Sequence, residues 1–97
     1  MLHLIYLSNL GEEIIQRIGS GDDVVLQAGL VWTARQKHTD HHQLLQLLAK
    51  QCQVFILQEM LIANGIEVRE ILAGIKVIDY PELVRLTEKN PVIMTWN

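Results

Sequence analysis

Apolar residues in this chain follow two rhythms. Short, nearly continuous runs at 2–7, 23–28, 53–57, 76–78 and 92–95 have the make-up of strands buried on both faces. Between them the apolar spacing lengthens to three and four. Leu10, Ile14, Ile15 and Ile18 fall on one helical face, with Glu12, Glu13, Gln16 and Arg17 opposite. The two glutamates lie in the first turn, where they complement the helix dipole. Leu44, Leu45, Leu47 and Leu48 give another helix a broad apolar face. The pattern also predicts a short helix at 30–35, a helix at 58–64 and a short helix or turn at 68–72. After the fourth strand run, Asp79-Tyr80-Pro81-Glu82 starts a last helix. Proline fits the first turn, and Asp79 with Glu82 has capping-box spacing. Tyr80, Leu83, Val84 and Thr87 are read as its inner face, which leaves Leu86 off it.

The punctuation agrees with these elements. Ser8-Asn9-Leu10-Gly11 is turn chemistry, and Gly19-Ser20-Gly21-Asp22 ends the first helix. Residues 36–40 form a polar loop in which Thr39 or Asp40 can cap the next helix. Asn64-Gly65 is a favourable helix stop, and Asn90-Pro91 ends the last helix. Strand–helix alternation of this kind predicts an α/β fold: three α/β/α layers around a mainly parallel sheet of about five strands. One domain spans 1–97, with no linker or repeat. Ligands of such sheets sit at the carboxyl ends of strands. Here those ends are Ser8-Asn9, Gly29 to Trp32, Gln58-Glu59 and Asp79-Tyr80.

Composition narrows the function classes. At 97 residues, 49% apolar and only 5% aromatic, the chain builds its core from Leu, Ile and Val. No stretch approaches the roughly 20 apolar residues that span a bilayer. Residues 1–7 lack a basic leader and a small-residue cleavage site, so they read as a strand, and a cytoplasmic protein without membrane contact is expected. Eight Lys and Arg stand against 11 Asp and Glu, scattered along the chain. RNA-binding proteins show a basic stripe, because phosphate contacts dominate their affinity. Direct nucleic-acid binding is therefore not expected. A single cysteine excludes an internal disulfide, a CxxC pair and a cysteine-rich zinc site.

That cysteine, Cys52, is the one candidate sulfur acceptor. It precedes a strand, at the amino end of the sheet and away from the usual ligand end, which favours a structural thiol. His38, Asp40, His41 and His42 carry metal-ligand chemistry, but their spacing matches no closed site. His3 reads as a satisfied histidine beside the sheet. Gly19-Ser20-Gly21-Asp22-Asp23 lacks the Lys-Ser/Thr of a phosphate loop and leads into a strand, so it reads as a helix-to-strand turn. Trp32 and Trp96 are candidate interface residues, since tryptophan is enriched at binding hot spots; Leu86 is a further one. No catalytic triad, paired acidic motif or cofactor fingerprint appears, and no catalytic residue, cofactor or metal is assigned. The residues alone reach a small α/β interaction domain.

Several segments together resemble the TusB/DsrH family. They are Met1-Leu2-His3 with the strand that follows, residues 21–30 from Gly21-Asp22-Asp23 to Gly29-Leu30, residues 54–65, residues 75–87 around Ile78-Asp79-Tyr80, and Trp96. The resemblance runs in order along nearly the whole chain. It implies a DsrE-like fold and assembly with TusC-like and TusD-like sister subunits into a heterotrimer that doubles to a hexamer. It implies a complex that takes persulfide sulfur from carrier proteins and relays it toward 2-thiouridine at the tRNA wobble position, with the essential cysteine on the TusD-like subunit. In the family's sulfur-oxidation branch the DsrH subunit carries a cysteine in its first helix; that position is Ile14 here. Gln27-Ala28 replaces the family's acidic approach to Gly29, and Gln58 occupies an acidic-leaning position. The alternatives are a DsrH-like subunit of a sulfur-oxidation complex, a sulfurtransferase using Cys52, and a free-standing homo-oligomer with a small ligand at the strand ends.

Overall fold

The structure, a computed structural model, describes residues 1–7, 9–27, 29–36 and 41–97. Five parallel strands form one sheet: β1 (Leu2–Ile5), β2 (Asp23–Leu26), β3 (Gln53–Leu57), β4 (Ile75–Ile78) and β5 (Ile93–Trp96). Their order across the sheet is β4-β3-β2-β1-β5. The helices are α1 (Glu12–Arg17), α2 (Leu30–Thr33), α3 (His42–Ala49), α4 (Gln58–Ala63) and α5 (Tyr80–Lys89), with a 3₁₀ turn at Val68–Glu70. The α/β class and the parallel five-strand sheet expected from the sequence are both present.

Topology decides where the helices lie. From β1 to β4 the chain steps in one direction across the sheet, then returns to place β5 on the far side of β1. Right-handed crossovers put helices of opposite stepping direction on opposite faces. The packing follows. Ile14 and Ile15 of α1 with Ile18 just after it, Leu30 and Val31 of α2, Leu44 and Leu47 of α3, and Leu61 of α4 share one core with Ile5, Val24, Leu26, Val54 and Ile56. On the other face, among the described residues, α5 is the covering helix, with Met60 of α4 packed at its core. Its Leu86 packs with Leu2, Val25, Phe55, Leu57 and Ile78.

The helix ends explain much of the local geometry. Asp79 caps α5 by accepting from the Glu82 amide at 2.9 Å, and the Glu82 carboxylate returns to the Asp79 amide at 3.3 Å. The predicted capping box is therefore formed. Helix α4 ends in a Schellman motif: Ile66 N–H donates to Leu61 and Gly65 N–H to Ile62, with Gly65 left-handed. Helix α3 ends the same way without glycine. Gln51 takes φ 67°, Gln51 N–H donates to Leu48, and Cys52 N–H donates to Leu47.

One expectation is corrected. Leu86 was read as lying off the inner face of α5, but it is 9% exposed and is the buried residue of that helix. Tyr80 and Val84, read as inner, are about half exposed. The inner stripe is Leu83 and Leu86, continued by the buried Asn90, whose side-chain amide donates to Asp23 in β2 at 3.0 Å.

Candidate functional site

At the carboxyl ends of β1 and β2, Asn9, Leu10, Gly11, Leu30, Thr33, Gln43 and Leu44 line a cleft of about 270 Å³. This is the position that parallel sheets use for ligands. The segment before α1, helix α2 and the first turn of α3 form its walls. Its polar groups are amides and one hydroxyl, and that hydroxyl is committed: Thr33 Oγ1 donates to the Leu30 carbonyl at 2.7 Å. Among the described residues its lining holds no thiol and no ionisable side chain. Of the other strand ends singled out in the sequence, Asp79 is occupied as the α5 cap, and Gln58 and Glu59 are exposed in the first turn of α4.

Cys52 lies at the opposite end of the sheet. It is 5% exposed and belongs to the main core. The Schellman stop of α3 ties the Cys52 amide to the Leu47 carbonyl, and both residues belong to the main core. Its Sγ donates to the Gly19 carbonyl at 3.4 Å. Burial pushes the thiol above its ordinary pKa, and the Gly21 and Asp22 amides beside the sulfur only partly offset this. A nucleophilic or persulfide-accepting cysteine needs thiolate character and access; burial works against both at Cys52. Nearby Lys50 is engaged too, because its ammonium donates to the Ile15 carbonyl at 2.9 Å and to that of Ile18, capping the carboxyl end of α1.

The turn between α1 and β2 gathers a second set of polar groups. His3, read as a satisfied histidine beside the sheet, is 1% exposed. Its Nε2 lies 2.8 Å from Asp22 Oδ2, and Trp96 Nε1 donates to its Nδ1 at 3.0 Å. Asp22 also accepts from the Gly19 amide at 2.9 Å, and the Met1 ammonium approaches it at 3.5 Å. Burial raises the Asp22 pKa, but the bonds from His3 and Gly19 outweigh that and hold the carboxyl below the usual range. Sequence reading treated Gly19–Asp22 only as a turn. The signal for more was the aspartate next to a strand that pairs with a histidine-bearing strand, and it becomes readable only once the strand order is known.

The remaining expected site residues lie apart. Trp32 on α2 is 43% exposed, with the Arg35 guanidinium 5.4 Å from its ring centroid. Trp96 is half-buried against His3, and Arg17 lies 5.9 Å from its ring. Leu86 is in the second core. Of the histidine-rich segment, His38 and Asp40 fall outside the described residues, as does the expected cap at Thr39 or Asp40. His41 Nε2 lies 2.5 Å from the Arg35 carbonyl, and His42 opens α3. No helix of the described residues is long and apolar enough to cross a membrane.

Comparison with known proteins agrees with this geometry. Two solved structures share the fold at low identity. The ychN protein from E. coli has a TM-score of 0.76 at 13% identity, covering 98% of this chain and 97% of its own. A protein of unknown function, MTH1491 from Methanobacterium thermoautotrophicum, has a TM-score of 0.71 at 16% identity, covering 97% and 95%. No curated protein matches the chain. The family model described as "DsrH like protein" matches residues 7–92, which hold all five helices and strands β2 to β4, and the chain belongs to the DsrH-like family.

Proposed function

We propose that this chain is a non-catalytic subunit of a TusBCD-like sulfur-relay complex, supporting persulfide transfer that its partners carry out. Family membership supports the relay setting. The observation that carries the subunit's role is the placement of Cys52. The only thiol of the chain closes a helix from within the core, at the end of the sheet opposite the cleft. Ile14, where the sulfur-oxidation branch has its cysteine, is likewise a buried apolar residue. This favours the tRNA-thiolation branch, in which the complex passes sulfur toward 2-thiouridine at the wobble position. The partners are TusC-like and TusD-like chains in a heterotrimer that doubles to a hexamer, and the reactive cysteine is on the TusD-like chain. Tryptophan Trp32, stacked with Arg35 on the surface beside the cleft, is the better interface anchor. Trp96 has an internal partner in His3, so its loss costs folding as well as assembly. Leu86 keeps too little exposed surface to anchor a partner.

The test is tRNA thiolation by the complex reconstituted with Cys52→Ser. Unchanged thiolation is expected. Lost thiolation with the complex still assembled would overturn the reading. Trp32→Ala is expected to weaken assembly while leaving the isolated chain's melting temperature nearly unchanged.

A further inference from the structure

We propose that His3 is a proton-operated latch on the C-terminal strand: the neutral imidazole holds Trp96, and proton uptake releases it. The indole N–H can only donate. Because Trp96 Nε1 lies 3.0 Å from His3 Nδ1, that nitrogen must present its lone pair. The single proton of the neutral ring is then on Nε2, where it is donated to the Asp22 carboxylate at 2.8 Å. Both ring nitrogens are committed, and the tautomer is fixed by its partners. The two ring planes are 23° from parallel, with their centroids 6.2 Å apart.

Protonation changes one side only. At Nε2 the bond to Asp22 becomes an ion pair. At Nδ1 an acceptor becomes a donor, and two N–H groups face each other across 3.0 Å. The Trp96 bond cannot survive in that state.

The charged surroundings are few. Asp22 and the Met1 ammonium approach from the turn side and the amino terminus. Arg17 of α1 lies over the Trp96 ring and adds positive charge on that side. Lys50 of α3 is turned to the α1 carbonyls, and Cys52 to Gly19. The residues paired beside His3 in the sheet, Val24 and Met94, are uncharged.

Release matters because β5 has little else to hold it. It is an edge strand bonded only to β1, three of its four residues are exposed, and Trp96 alone is half-buried. With the bond to His3 lost, β5 keeps only its backbone bonds to β1 and the apolar packing of Trp96 against the first core.

The experiment follows the Trp96 indole N–H and the β5 amides by NMR in the full chain between pH 8 and pH 5, with the Trp32 indole as internal reference. The Trp96 signal is expected to move in step with the His3 ring. Protection of the β5 amides, corrected for intrinsic exchange, should fall roughly five- to tenfold relative to β2 as one hydrogen bond is lost. His3→Gln keeps a donor and an acceptor but cannot titrate, and Trp96→Phe keeps a ring without the N–H. Either variant is expected to make β5 protection independent of pH. A Trp96 indole that stays fixed while His3 titrates overturns the latch. So does a His3 ring that fails to titrate across the range, or acid loosening of β5 that persists in His3→Gln.

Discussion

Asn90→Ala should cost far more than an alanine at a helix end ordinarily does. Asp23 opens the middle strand β2, is 3% exposed, and lies on the face of the sheet covered by α5. It has two side-chain partners. Asn90 donates to Oδ2 at 3.0 Å from a buried amide, and Lys89 donates to the same oxygen at 3.2 Å from a largely exposed ammonium. The Asn90 amide also donates to the Leu86 carbonyl at 2.9 Å, so one side chain ties the end of α5 both to its own last turn and to β2. Removing it leaves a buried carboxylate whose one remaining partner is solvated. A hydrogen bond to a charged group contributes about 1.5–3 kcal/mol, and the cost rises when the charge left behind is buried. A loss of about 2–3 kcal/mol is expected, or roughly 10–20 °C in melting temperature for a domain this size. Urea denaturation followed by far-ultraviolet dichroism gives the value. The reasoning also fixes a coupling: in an Asp23→Ala background the same Asn90→Ala change should cost at least 1 kcal/mol less, since no charge is left stranded. Equal costs in both backgrounds, or a single-variant loss under about 0.5 kcal/mol, would refute it.

Three further outcomes follow from the same geometry. Leu86→Ala should destabilise by about 2–4 kcal/mol, and Val84→Ala by under about 1 kcal/mol, because only the former opens the second core; similar losses in denaturant titrations would restore the original reading of the α5 face. Gln51→Gly should stabilise by about 0.5–1 kcal/mol, because the left-handed stop of α3 suits glycine; a lower denaturation midpoint would count against that cap. Asp22 is more acidic folded than unfolded, so it contributes stability above about pH 4 that is lost as pH falls through its folded pKa. In urea midpoints measured from pH 5 to pH 2, Asp22→Asn should flatten that acid slope.

Local signals in the sequence carried the element plan. The apolar run at 53–57 is β3 to the residue, and Asp79 with Glu82 formed the capping box that their spacing predicted. Asn64-Gly65 supplied the α4 stop for the reason glycine is placed there. The face of α5 was misread because its apolar residues make two stripes. Tyr80 and Val84 are the more conspicuous pair, but the sheet takes Leu83 and Leu86, continued by a polar residue, Asn90. Nothing local distinguishes them, since the choice depends on Asp23, 67 positions away. The His3 cluster was illegible for the same reason: its partners lie 19 and 93 residues along the chain. The place of Cys52 at the amino end of the sheet was readable from its position before a strand. Its role in closing α3 required the left-handed Gln51, which no residue preference announces.

The relay role itself turns on where sulfur rests. The proposed complex of this chain with TusC-like and TusD-like chains, exposed to a persulfide donor and then digested, can be read by peptide mass. A supporting subunit keeps Cys52 as an unmodified thiol, while a cysteine of the TusD-like chain gains one sulfur. A one-sulfur increment on Cys52 that disappears when an acceptor is added would contradict that role and make this chain a carrier.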